Sequence, residues 1–386
     1  MDNLTHSLVG LAASKAGLEK LSRHATLCSI IAANSPDSDL AVLLFGDRWT
    51  YLHHHRGITH SVVGTLTLAL LIPLVFYLVD RLIAKLRKRP PTIKLKGLLV
   101  ASLIVSATHP LLDWTNNYGV RPLLPWNAQW FYGDLVFIID PFLWLVFGGA
   151  GFLLTARTKK QIFFWAALAV VLTILVLAGP ASRGMETSPL LPVFWVTGLA
   201  VLAISFKLKT AERWGNRIGL TAFAIVAVYI GTLAILHRAA VSELHEQARA
   251  IASQNGESVT DIAAMPTLAN PFNWLCVVET EYAAYRFELS LLGRPRNTFE
   301  TFVRHERGDV SNSPAVEAAV KDRRAQIFLG FARFPVARVA GADCVTETLV
   351  QFADLRYTQP GSTRGTFALD LPVECPTQST AGGETK

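Results

Sequence analysis

Long apolar runs separated by short polar, often basic stretches fill the first 236 or so residues, and then the texture changes. The clearest runs are Ile58–Val79, Gly97–Leu112, Leu135–Thr155, Ile162–Ala178, Leu190–Phe206 and Ile218–Leu236. Most approach the roughly 20 residues that an α-helix needs to cross hydrocarbon. The Gly97–Leu112 run is short and is expected to extend into a polar, protein-lined region. Two weaker apolar segments precede these, Leu4–Leu18 and Ala25–Phe45. The second is interrupted by Asn34-Ser35-Pro36-Asp37-Ser38-Asp39, too polar to face lipid. Irregular backbone at membrane depth is tolerated only inside protein or beside a wet cavity, so these two segments read as paired, re-entrant-type helices whose break points at a cavity.

After His237 the pattern is that of a water-soluble domain. A helical stretch rich in Ala, Glu and Arg runs from His237 to about Ser253. Strand-like segments then follow at Trp274–Glu281, Thr298–His305, Ile327–Arg333, Thr346–Phe352 and Gly365–Leu371, with β-branched and aromatic residues separated by Gly, Pro and Asn turns. The expected fold is an all-α polytopic membrane bundle over residues 1–236, with about six to eight transmembrane or re-entrant helices. A soluble α+β domain with a small antiparallel sheet should occupy 237–375, and a disordered Thr/Gln/Ser/Gly-rich tail 376–386.

Composition agrees with this division. The chain is 51% hydrophobic and 17% charged, where a soluble domain carries about 25% charged residues. Its formal net charge of +7 would fit nucleic acid if read alone, but the cations cluster in short loops between apolar runs, which marks the cytoplasmic face of a membrane protein. Residues 81–96 contain Arg81, Lys85, Arg87, Lys88, Arg89, Lys94 and Lys96 and no acid. Arg157, Lys159 and Lys160 mark a second loop, and Lys207, Lys209, Arg213 and Arg217 a third. Two spans separate each loop from the next, so all three fit one side. The C-terminal domain then lies outside, in the periplasm if the membrane is a bacterial inner one. No basic region precedes the first apolar segment, which therefore does not read as a cleaved signal peptide. Four cysteines show no metal-ligand spacing. In an oxidising space Cys344 and Cys375 could pair.

The candidate chemistry lies in ionisable residues misplaced for lipid: His6, Asp37, Asp39, His60, His109 and Asp113. Such residues in membrane segments usually face a bundle interior or a watery cavity. With the basic loops inside, His60 begins its span at the outer level and His109 and Asp113 end theirs there. At i and i+4 the last two share a helix face. His6 and Asp37 reach the same level if Lys15–Arg23 is cytoplasmic. Histidine with carboxylate suits zinc, with manganese or iron as alternatives. Asp39 is a candidate general base or a partner to a ligand. His55 is a candidate ligand or proton donor, and Arg56 could grip a phosphate bidentately. For each residue the competing reading is structural: a hydrogen-bonded pair for His109 and Asp113, a cap or turn for Asp37 and Asp39, and an interface residue for His6. His24, His53 and His54 read as ordinary interface or loop residues.

Met1-Asp2-Asn3-Leu4-Thr5-His6-Ser7, Pro36-Asp37-Ser38-Asp39, His55-Arg56-Gly57-Ile58-Thr59-His60-Ser61 and His109-Pro110-Leu111-Leu112-Asp113 resemble the motifs of the YdjM/YbcI-type family of bacterial inner-membrane proteins. The resemblance covers the chain to about residue 150. Asp354-Leu355-Arg356-Tyr357 resembles the longer members more loosely. The resemblance implies a membrane-bound, metal-dependent hydrolase, phospholipase-like in character. The His-x-x-x-Asp element is also similar to that of zinc-dependent phospholipase C, which implies His109 and Asp113 as ligands, with His6, Asp37 and His60 completing the site. The further closely spaced histidines of a three-zinc site are missing here, so one or two ions are expected. The expected partners are membrane lipids and a phosphoester or lipid substrate, with no nucleic acid; a protein partner stays open. A non-enzymatic scaffold or stress-response protein with a partner-binding outer domain is the alternative. A transporter is a weaker one, since no ionisable set matches at the cytoplasmic end.

Overall fold

The computed structural model describes residues 1–182, 187–293, 302–306, 313–340, 347–362 and 367–374. The chain divides into two compact units. Met1–Phe45, His54–Arg238 and Pro266–Asn273 form the first, and Gly46–His53, Ala239–Met265 and Trp274–Lys386 form the second.

The first unit is helical and built for a membrane. Its helices are α1 (Asn3–Lys15), α2 (Ala25–Asn34), α4 (Val62–Leu86), α5 (Leu95–Trp114), α6 (Pro141–Thr155), α7 (Lys159–Leu177), the single turn α8 (Gly179–Ser182), α9 (Leu191–Lys207) and α10 (Thr210–Trp214). The short α3 (Arg48–His54) lies almost wholly in the second unit, and α11 (Arg217–Asn255) begins in the first and ends in the second. Among the described residues, five stretches are long and apolar enough to cross a membrane: Ala25–Leu44, Val62–Leu86, Leu95–Trp114, Lys159–Leu177 and Arg217–Asn255. Pro141–Thr155 and Leu191–Lys207 are shorter apolar helices.

The helices are inside-out relative to a soluble bundle. On α4 the exposed positions are Leu66, Leu70, Leu74, Val75, Leu78 and Leu82, whereas Thr65, Ala69, Pro73, Asp80 and Ala84 are buried. Apolar residues outward and small or polar ones inward is the arrangement hydrocarbon permits, because lipid supplies no hydrophobic drive for helices to associate. In packing order α4 lies on α5, α5 on α2, α2 on α1, α1 on α6, and α6 on α7 and α9. Contact between α1 and α2 is close at Gly10, where a Cβ would stand 2.9 Å from the Ser29 carbonyl oxygen. Trp144 ties α6 to α1 by donating from Nε1 to Asp2 Oδ1 and Thr5 Oγ1, each at 3.1 Å.

Two boundaries differ from the apolar runs, for local reasons. The run that opens at Leu135 becomes helical only at Pro141, because Asp140 caps α6. Its Oδ1 accepts from Phe142 N and Leu143 N at 2.7 and 3.2 Å, and Tyr229 of α11 donates to Oδ2 at 2.8 Å. In Ala25–Phe45 the polar break does not turn the chain back: α2 passes at Ser35 straight into a 3₁₀ helix, Ser35–Leu44.

The basic stretches gather at one end of the unit. Lys94 N donates to Ser22 Oγ at 2.9 Å, and Arg23 Nη1 lies 3.5 Å from Thr92 Oγ1. Lys15, Lys20, Arg157, Lys207 and Lys209 line one common cavity. Asp80 organises the α4–α5 connection there, accepting from Arg89 Nη2 at 2.7 Å and from the amides of Thr92 and Ile93 at 2.6 and 2.9 Å.

The second unit is α+β, with two antiparallel sheets where one was expected. The first has the order β1 (Val259–Thr267), β2 (Asn270–Thr280), β3 (Ala283–Ser290), β4 (Val303–Glu306), and the second β5 (Pro335–Ala340), β6 (Glu347–Asp354), β7 (Ala368–Glu374). The predicted segments at Trp274, Thr346 and Gly365 correspond to β2, β6 and β7, and β4 takes the end of the Thr298–His305 segment. The strand expected at Ile327–Arg333 is instead a helix, Arg323–Phe331, with Asp322 as its cap. Ala325, Phe328 and Phe331 are buried, a spacing of three that fits one helical face; aromatic content had pointed to a strand. The helix foreseen at His237–Ser253 is the continuation of α11. Cys344, Cys375 and residues 376–386 lie outside the described residues.

The Asp354–Arg356 pair lies at the centre of this unit, both side chains fully buried. Arg356 Nε and Nη2 meet Asp354 Oδ2 at 2.8 and 2.7 Å, and Nη2 also donates to the Phe331 carbonyl at 2.9 Å. Removing one partner would strand a buried charge, which typically costs about 3–5 kcal/mol. Arg356→Ala is therefore expected to lower unfolding stability by about that amount, followed by denaturant titration of the detergent-solubilised full chain.

Candidate metal centre

Four elements of the first unit bring their ends to one point: the start of α1, the 3₁₀ helix after α2, the short 3₁₀ turn Ile58–His60 before α4, and the end of α5. They carry His6, Asp37 and Asp39, His60, and His109 with Asp113 respectively, all buried to 7% exposure or less. The 3₁₀ form of Ser35–Leu44 has a geometric consequence. At about three residues per turn, positions i and i+2 point roughly 120° apart rather than the roughly 160° of an α-helix, which lets Asp37 and Asp39 both turn inward.

His109 Nδ1 lies 2.6 Å from the Ala33 carbonyl oxygen. A carbonyl only accepts, so His109 carries its proton on Nδ1 and presents the lone pair of Nε2. His60 Nδ1 faces Asp39 Oδ2 at 3.4 Å and Thr59 Oγ1 at 3.1 Å; the carboxylate favours the same tautomer, and Nε2 of His60 is free of its proton as well. The two Nε2 atoms stand 3.1 Å apart. Asp37 Oδ1 lies 3.3 and 3.6 Å from Nε2 of His60 and His109. Asp113 Oδ2 lies 3.5 and 3.6 Å from the same two nitrogens. All four donor atoms fall within 4.8 Å of one another.

Lone pairs and anionic oxygens that converge without a proton to share repel one another unless a cation joins them. A tetrahedral ion bound at 2.0–2.1 Å spaces its ligand atoms about 3.3–3.4 Å apart, close to the separations here. Two further features fit: Asp37 Oδ2 and both ring nitrogens of His6 are buried without a hydrogen-bond partner. The cluster Asp37, His60, His109 and Asp113 is thus capable of holding a divalent metal ion. A second group, Asp37, Asp39 and His55, shares Asp37 with it.

The other residues singled out from sequence border this cluster. His6 stacks on His109, ring centroids 3.7 Å apart, and its Nε2 lies 3.3 Å from Asp113 Oδ1; the Met1 amino group also meets that oxygen. His55 Nδ1 lies 3.3 Å from Asp39 Oδ1, and with 14% of its side chain exposed it is the most accessible of the set. Arg56 is buried rather than open to a phosphate. Nε reaches Asp113 Oδ2 at 3.0 Å, and Nη1 donates to Asn116 Oδ1, Gly119 O and Asp113 O at 3.0, 3.0 and 3.2 Å. Its guanidinium also lies over the Tyr118 ring, 4.5 Å from the centroid. The Arg56 backbone sits at φ 51°, a left-handed conformation unfavourable for a residue with a side chain; its N–H donates to Asp39 Oδ2 at 2.9 Å. Sequence reasoning passed over Asn116 and Tyr118, which complete the Arg56 pocket. Neither carries a charge, and only their nearness in sequence to Asp113 could have marked them.

The turn holding His60 depends on Gly64. A Cβ there would lie 1.8 Å from the Ile58 carbonyl oxygen, while Gly64 N donates to Ser61 Oγ at 3.1 Å. Gly64→Ala must push the Ile58–His60 turn aside, and overpacking of this kind costs about 1–3 kcal/mol or more. Thermal unfolding in detergent should show the loss.

No solved structure matches the chain. Over 153 residues it is 27% identical to the uncharacterized protein YfhP of Bacillus subtilis (strain 168), a match covering 38% of this chain and 43% of that protein. The chain therefore spans less than half the length of that relative. The model of the YdjM inner membrane protein family matches residues 1–185, so the stretch that holds every residue of the His/Asp cluster is similar to that family.

Proposed function

We propose that this protein is a metal-dependent hydrolase acting at the outer face of a bacterial inner membrane on a phosphoester or lipid, with zinc as the ion and one or two ions bound. The observation that carries the reading is the pair of imidazoles whose Nδ1 protons are engaged elsewhere and whose Nε2 atoms converge with two carboxylates. When bound, the ion would lower the pKa of water and polarise a phosphoryl or acyl oxygen.

Asp37, His60, His109 and Asp113 would be the ligands, with His6 joining or supporting them from its place against Asp113. The Ala33 carbonyl and Asp39 fix the ring orientations of His109 and His60, as partners of metal-bound histidines commonly do. Arg56 holds Asp113 and the Asn116–Gly119 turn in place, so it serves as a positioning residue. The Asp39–His55 couple is the proton-handling group: the carboxylate orients the imidazole, and His55 is the member best placed to exchange protons with solvent or substrate. It is equally the natural seat of a second ion, because Asp37 belongs to both groups. A lipid substrate is supported by the neighbours of these residues. Leu40, Ile58, Val62 and Leu111, close in sequence to the cluster residues, are all exposed apolar side chains. The basic stretches at the opposite end of the unit support a periplasmic side for the cluster.

Detergent-purified protein should contain near-stoichiometric metal by elemental analysis, and His109→Ala or Asp113→Ala should lose it. Full retention in both variants would overturn the reading. His55→Ala should keep metal at the four-ligand cluster while slowing turnover of a phosphoester or lipid substrate by roughly 10²–10⁴-fold. A wild-type rate in that variant would exclude His55 from proton transfer.

A further inference from the structure

At the other end of α1 lies a second built feature. A cavity of about 820 Å³ is lined by Lys15, Lys20, Arg157, Lys207 and Lys209 against Glu19 and Glu212, over an apolar floor that includes Leu154 and Phe206. Lys15 pairs with Glu19 at 2.5 Å, and Lys209 with Glu212 at 3.6 Å. Lys20, Arg157 and Lys207 have no ion pair among the described residues. The cavity walls thus carry an excess of positive charge with three cations uncommitted.

Beside it runs an apolar groove of about 260 Å³ between α1, α6, α7 and α9. Trp144, Trp165 and Trp195 line it, and each has its indole N–H turned to a partner in the protein. Trp144 donates to Asp2 and Thr5, Trp165 to Thr155 Oγ1 at 2.8 Å, and Trp195 to Thr173 Oγ1 at 2.9 Å. The aromatic faces and the surrounding Leu and Ala side chains therefore offer hydrocarbon contact and no unpaired indole donor. Groove and cavity meet at Phe152 and Phe206, one lining each, with ring centroids 5.0 Å apart.

From this juxtaposition we infer a binding site for an anionic phospholipid, its phosphate held by Lys20, Arg157 and Lys207 and one acyl chain laid along the α6–α7–α9 groove. Charge complementarity chooses the occupant. Basic pockets between membrane helices on the cytoplasmic side bind anionic headgroups, and an apolar slot that opens beside one matches a chain attached to that headgroup. A soluble phosphate would use the cations and leave the groove irrelevant. A zwitterionic lipid would use the groove and gain little from the cations. The site is separate from the His/Asp cluster: His6 and Lys15 stand nine positions apart on α1, about 13 Å along a helix. The inference therefore does not rest on the proposed hydrolase activity.

Native mass spectrometry of the detergent-purified full chain tests it, with phosphatidylglycerol and phosphatidylethanolamine of identical acyl chains titrated in parallel. Wild-type protein should retain phosphatidylglycerol with a preference of roughly tenfold or more. Replacing Lys20, Arg157 and Lys207 together by Gln should abolish the preference, and the single exposed-site variant Lys207→Gln should weaken it. Ala169→Phe, which fills the groove, should weaken binding of both lipids while leaving their ratio unchanged. Equal retention of the two lipids by wild type, or a preference that survives the triple substitution, would overturn the site. Displacement of phosphatidylglycerol by millimolar inorganic phosphate, or normal binding by Ala169→Phe, would overturn the acyl-chain assignment. Metal content, read on the same samples, should not change in any of these variants.

Discussion

A carboxylate that is only 1% exposed cannot stay charged unless the protein surrounds it with compensation. Asp113 obtains that compensation from two other segments: Arg56 Nε stands 3.0 Å from Oδ2, and His6 Nε2 lies 3.3 Å from Oδ1. Each contact fixes the end of a different element. Through Asp113 the start of α1, the His55–His60 loop and the last turn of α5 meet at one level. The Ala33 carbonyl, bonded to His109, adds the end of α2. Breaking a buried pair typically costs several kcal/mol. The cluster is therefore as much a constraint on how the helix ends meet as a set of potential ligands.

The same cluster reconciles two demands that usually conflict. Hydrocarbon around the bundle requires apolar outer faces, and α4 meets this with a row of exposed leucines and valines. Chemistry requires charged groups, and these are admitted only where the helices close over them. Small residues make the closure possible. Gly10 lets α1 approach the α2 backbone, and Gly64 lets α4 begin tightly behind the His60 turn.

Much of this was legible in the sequence because membrane spans announce themselves by length and composition, and because the basic loops mark connections that gather at one end of the unit. His6, Asp37, His60, His109 and Asp113 could be singled out since ionisable groups in apolar runs are rare, and helix direction alone put them at one depth. What composition could not convey was local backbone form. The Pro36-Asp37-Ser38-Asp39 stretch looked like a break, but it is a tightened helix, a choice set by the contacts around it rather than by residue type. Arg56 looked like a phosphate clamp because an arginine beside a ligand loop commonly is one. Its carbonyl partners in the Asp113–Gly119 turn are backbone atoms, invisible to any reading of side-chain pattern. In the C-terminal unit, Ile327–Arg333 has strand-like composition, yet Asp322 provides a helix start and the buried positions recur every three residues.

The distribution of charge along α1 shows why one helix can serve two different surfaces. Its N-terminal end carries His6 into the buried cluster, where polar atoms must be answered by the protein or by a bound cation. Its last residue, Lys15, opens onto a cavity of cations, where the compensating anion can come from outside. A buried site fixes its own partners through geometry, whereas an open basic cavity selects among available anions by charge and by what is attached to them. That difference makes tautomer and distance the decisive quantities at one end of the helix. At the other end the decisive quantities are net charge and the neighbouring groove.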